Sequence, residues 1–152
     1  LHYAFEQSSN DETRRLLLLQ NAAFIPLFRK NLDKLSKDRL DALEPLPVDG
    51  KEPLSEIFTA VSQNRMTAAR KTLSYLKEDP EPKALMNMAR LLVFLKGNDA
   101  HDYKFSSAVL EDYDHVSPEW RGQFLAASMF ELRGADEKDN PLMERTRAAL
   151  KS

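Results

Sequence analysis

Apolar residues in this chain recur at three- and four-residue spacings almost from end to end, and alternation of apolar with polar residues is scarce. A period near 3.6 gathers such residues on one side of a helix, whereas a half-buried strand needs a period of two. The breaks in the pattern coincide with glycine and proline: Gly50, Gly97 and Gly134 each follow a periodic segment or sit in a loop. The reading is an all-α fold of about six or seven helices, arranged as a compact bundle or a short stack of antiparallel helical hairpins.

Local signals place the helices. Residues 1–7 read as a short helix or an ordered tail. Ser9 with Glu12 has the capping-box form, in which a hydroxyl and a carboxylate satisfy amides that the first turn leaves open. The helix that follows contains four consecutive leucines, Leu16 to Leu19, which cannot share one side. Pro26 lacks an amide hydrogen and is expected to end or kink this helix near Phe24 or Ile25. Leu32, Leu35, Leu40 and Leu43 suit one further amphipathic helix. "EPLPVDGKEP" then reads as an extended connector at about residues 44–53. A domain boundary in this region would leave a very small N-terminal piece, so the chain is read as a single domain over residues 1–152.

Downstream, Pro53 suits a first-turn position ahead of the stripe Leu54, Ile57, Phe58 and Val61. Asn64 can cap a helix carrying Met66, Ala69, Leu73 and Leu76. The stretch "AARKTLSYLKEDPEP" resembles the second helix of a tetratricopeptide repeat through Ala69, Leu73, Leu76 and the proline that follows. The resemblance covers one repeat and lacks the tryptophan, glycine and tyrosine of the preceding helix, so the segment is read as an ordinary helical hairpin. "KALMNMARLLVFLK" is nearly apolar all round and is expected to be the central, most buried helix. Asn98 or Asp99 can cap a helix running to about Val116, with Phe105, Ala108, Val109, Tyr113 and Val116 inward. Ser117–Pro118 and Asn140–Pro141 each repeat the cap-then-proline signal of a helix start.

Composition restricts what the chain can do. It has 152 residues, enough to bury about 70% of its unfolded surface without a metal or a cross-link. It contains no cysteine, which removes disulfides, thiolate metal sites and thiol nucleophiles, and leaves the compartment open. Its 22 basic and 24 acidic residues are well mixed and form no basic stripe, so nucleic acid is not an expected partner. No apolar run reaches the length of a transmembrane segment. The chain opens on Leu1, which reads as a processed or partial product.

Phosphate-binding glycine loops, G-x-S-x-G elbows, H-E-x-x-H motifs and the Glu-x-x-His pairs of di-iron bundles are absent from the sequence. Two sets of polar residues remain. His2, His101, Glu111 and His115 could contribute to a metal site: Glu111 and His115 stand one helical turn apart, and His2 with Glu6 repeats that spacing. Asp112 falls close to the inferred inward face, where a carboxylate needs a cation, and Arg90 is the nearest candidate for a buried polar pair. The leading expectation is a non-enzymatic helical domain acting through protein–protein contact or self-association. The alternatives are a metal- or cofactor-dependent enzyme, or a module of one, built on the histidine–carboxylate cluster, and a small-molecule-binding domain with a pocket near Arg90, Asp112, Tyr113 and Trp120. No particular cofactor is indicated.

Overall fold

A computed structural model describes residues 1–32, 39–78 and 82–151, with the side chains of 28–32 left aside. The described residues form eight α-helices and no strand, so the all-α expectation holds. No helix among them is long and apolar enough to cross a membrane. The chain divides into two units, Leu1–Arg39 and Leu40–Ser152, so the division falls ahead of the proline-rich stretch.

The first unit contains α1 (His2–Gln7) and α2 (Asp11–Leu32). Asn10, not Ser9, caps α2: its side-chain oxygen accepts from the Thr13 amide at 2.9 Å. The Asn10 side chain reaches the third amide of the first turn, the position at which a cap acts. Helix α2 does not stop at Phe24 or Ile25 but runs through Pro26. Pro26 cannot donate to the Ala22 carbonyl; Ala22 is exposed, so water can take that bond. Arg14 stacks on Phe5, 4.5 Å above the ring centre, and links α1 to α2. Leu35 lies outside the described residues, and Leu40–Ala42 form a single 3-10 turn where a helix was expected.

The second unit holds the core. Residues 43–52 form no helix or strand and are strapped to the next hairpin. The Leu46 amide donates to the Arg70 carbonyl at 3.0 Å, the Arg70 Nε donates to the Glu44 carbonyl at 2.8 Å, and Leu43 and Val48 pack on the core. Helix α3 (Pro53–Gln63) begins on its proline and buries Ile57, Phe58, Ala60 and Val61. Asn64 alone separates it from α4 (Arg65–Glu78) and caps that helix through the Thr67 amide at 3.0 Å. Helix α4 packs most extensively against α3 and α7 (Arg121–Ser128). It carries small residues, Ala68, Ala69 and Thr72, on its buried side, which lets neighbouring backbones approach. A second hairpin joins α5 (Lys83–Lys96) to α6 (Ala100–Asp112). Ile57, Phe58, Leu85, Leu125, Met129 and Leu132 are wholly buried at the centre of the unit, each stabilising by about 1.5–3 kcal/mol relative to exposure.

Helix α5 is not the all-round buried element its composition suggests. Leu85, Met86, Ala89, Leu92 and Val93 face the core, while Leu91 and Phe94 are 52% and 69% exposed. One side of an apolar helix is thus left in water. Helix α6 ends at Asp112, and Tyr113–His115 tighten into a 3-10 turn. Its buried positions are Ser106, Val109 and Leu110, not Phe105 and Ala108. The final helix, α8 (Pro141–Ala149), is capped by Asn140 as expected, at 2.9 Å from the Met143 amide.

The segment after α7 locks these pieces together. The Ala135 amide donates to the Phe58 carbonyl at 2.8 Å, and the Asp136 amide donates to Ser62 Oγ at 3.0 Å. A Cβ on Gly134 would come within 2.5 Å of the Ser62 nitrogen and 2.9 Å of its Cα, so only glycine lets this loop lie on α3. At the other end, Asn140 donates to the Phe94 carbonyl at 2.8 Å, and its own amide donates to the Leu95 carbonyl at 2.7 Å. These bonds occupy carbonyls of the last turn of α5, which no helical amide can reach.

Candidate functional site

The α5–α6 hairpin shapes a cleft. Asp99 caps α6 by accepting from the amides of His101 (2.7 Å) and Asp102 (3.2 Å), and Asp102 reciprocates by accepting from the Asn98 and Asp99 amides at 2.8 and 3.3 Å. This capping box fixes where α6 starts. Arg133 reinforces it through two hydrogen bonds to Asp102, at 3.0 and 2.6 Å, and one to Glu137 at 2.9 Å. Burial would raise the Asp102 pKa, but the Arg133 guanidinium and the two amides outweigh it and hold this carboxyl below the ordinary aspartate range. Asp102 in turn raises the Arg133 guanidinium further above its already high value. Lys96 and Arg147 hold Asp139 low in the same way, against a smaller opposing effect of burial.

The Tyr103 hydroxyl donates to the Gly97 carbonyl at 2.9 Å and closes the loop end of the cleft. Beyond it lies a half-open volume of about 280 Å³. Val93 from α5 and Leu110 from α6 form its buried floor, and the Phe94 and Tyr103 rings border it. Arg90 and Glu111 supply its charged rim from opposite helices. Arg90 donates to Asn87 at 3.2 Å, and one Glu111 oxygen accepts from the Ser107 hydroxyl at 2.8 Å. The result is an apolar slot with one cation and one anion at its edge.

The residues singled out in the sequence are distributed as follows. His2 is in the first unit, 3.2 Å from Glu6, the one-turn contact expected from their spacing. His101 is 96% exposed beside Asp99 at 3.6 Å, and it borders a second, smaller cleft with Lys104 and Glu131. His115 is exposed in the 3-10 turn. Because α6 ends at Asp112, His115 leaves the helical register that would have set it over Glu111, and Glu111 takes the Ser107 hydroxyl instead. Asp112 is half-buried, but Arg90 is not its buried partner: Arg90 is exposed and turned to Asn87. Of the residues named beforehand, Arg90 and Glu111 are brought to the same cleft.

The aromatic borders of that cleft were not anticipated from sequence. Phe94 looked like core because its neighbours on α5 are apolar, yet it stands in water. Tyr103 carried a usable signal: it lies six residues after Gly97, within reach of a helix-end carbonyl. Compared with protein-family models, with curated proteins and with solved structures, the chain finds no match.

Proposed function

We propose that the chain is a non-enzymatic helical domain that works through protein–protein contact, with α2 as the contact element and self-association as its form. One observation carries this reading. Along 22 residues, α2 leaves Leu16, Leu18, Leu19, Phe24, Ile25 and Leu27 between 42% and 67% exposed. At 100° per residue these side chains wrap more than one face of the helix, and an apolar surface of that extent on a water-facing helix marks an interface. A second copy offers an equally apolar surface at the same concentration, and a symmetric contact can bury both at once.

Light scattering across a concentration series tests it. The expected result is a mass above that of one chain, and a monomer for the Leu18→Glu/Leu19→Glu variant with its circular dichroism unchanged. A monomeric wild-type chain at every concentration overturns the reading.

A further inference from the structure

We infer that the α5–α6 cleft binds a free hydrophobic α-amino acid, with the carboxylate held by Arg90, the ammonium by Glu111 and the side chain in the slot between the helices. The charged rim comes first. A guanidinium has five N–H donors, and Arg90 spends one of them on Asn87. Glu111 uses one oxygen to accept from Ser107, and its other oxygen has no bond among the described residues. The two charges line the same cleft from opposite helices, and neither is engaged by the other. A ligand with only a negative charge would meet Glu111, and one with only a positive charge would meet Arg90. A zwitterion satisfies both, each through a charge-assisted hydrogen bond.

The interior selects the rest of the ligand. Val93 and Leu110 are buried and offer no polar atom, and the Phe94 and Tyr103 rings flank them. The Tyr103 hydroxyl proton is already committed to Gly97, so at the loop end of the slot the ring carbons are what Tyr103 offers an apolar side chain. The volume of about 280 Å³ falls just below that of most ligand pockets, which run from about 300 to 1,000 Å³. A single amino acid suits it. An internal peptide residue carries neither charge, and a chain terminus carries one, so a peptide leaves at least one rim residue unanswered. The site lies wholly within the second unit and does not depend on what α2 contacts.

Calorimetric titration of the intact chain tests this, with phenylalanine, leucine and methionine as probes. Glycine controls for the side chain, and phenethylamine and 3-phenylpropionate each carry one of the two charges. The expected result is saturable binding of at least one of the three apolar amino acids, with glycine and both one-charge compounds weaker by roughly tenfold or more. Arg90→Gln and Glu111→Gln should each weaken the amino acid by a similar factor while leaving the melting temperature in place. No saturation by any of the three up to about 10 mM, equal binding of the one-charge compounds, or unchanged affinity in both variants overturns the inference.

Discussion

Arg133 and Asp102 meet through a pair of hydrogen bonds of 3.0 and 2.6 Å, joining the segment after α7 to the first turn of α6. The contact does two things at once. It neutralises a carboxylate that is only 10% exposed, and it clamps a side chain that already caps a helix through the Asn98 and Asp99 amides. The two ends of the capping loop cannot shift independently while the fork-to-fork geometry holds.

Truncating either partner should therefore cost stability, and unequally. Arg133→Ala leaves Asp102 desolvated but still accepting from two amides, a loss of about 1–3 kcal/mol. Asp102→Ala removes the ion pair together with its half of the capping box, and should add roughly 1 kcal/mol to that figure. Urea denaturation of the two variants measures the order; Arg133→Ala proving the more damaging would show that the cap contributes nothing.

Three depressed carboxyls among the described residues predict the acid limit. Glu56 is held below its usual 4.5 chiefly by Lys71, with the Gly50 and Asp49 amides helping and burial opposing, and Asp102 and Asp139 below their usual 3.8. Each binds its proton more weakly folded than unfolded, so its stabilisation is complete above the unfolded value and disappears as pH falls through the folded one. The urea midpoint should stay level from neutrality down to about pH 5 and drop below about pH 4. In an Arg133→Met variant the drop should be shallower, because Asp102 loses the partner that lowers it most and keeps only its two amides. An equally steep drop in that variant would place the acid sensitivity elsewhere.

Much of the helix layout was legible because its signals are local. Pro53, Asn64, Asp99 and Asn140 begin helices where their cap and first-turn chemistry says they should. Errors arose where a longer-range contact decides. Composition made α5 look fully buried, but which side stays wet depends on where α3 and α6 lie, and periodicity cannot rank two apolar faces of one helix. The Glu111–His115 spacing assumed a continuous α6, and three residues of 3-10 turn undid it. Arg133–Asp102 was invisible for a different reason: two charges in separate polar segments carry no spacing that links them.

Gly134 provides a test of close packing in the same region. Its backbone φ is not positive, so the requirement is space and not conformation. Gly134→Ala drives a methyl group against the Ser62 backbone in α3, which cannot swing away as a side chain would. A loss of about 1–3 kcal/mol is expected, together with faster hydrogen exchange at the Ala135 amide, whose bond to Phe58 depends on that approach. An unchanged exchange rate would mean the loop does not press on α3.

Neighbouring leucines on α5 give the sharpest check of how this helix is turned. Leu92 is 6% exposed among the core residues, and Leu91 is 52% exposed on the water side. Leu92→Ala leaves a cavity and should cost about 2–5 kcal/mol. Leu91→Ala removes an exposed side chain at a helical position where alanine is the better former, and should stay within about 0.5 kcal/mol of the wild type. Chemical denaturation of the two variants under one set of conditions reads the difference directly. Comparable losses would show that both faces of α5 are covered in solution. Because Leu91 and Phe94 lie on the same exposed side, that result would also bear on whether the edge of the α5–α6 cleft stands open to a ligand.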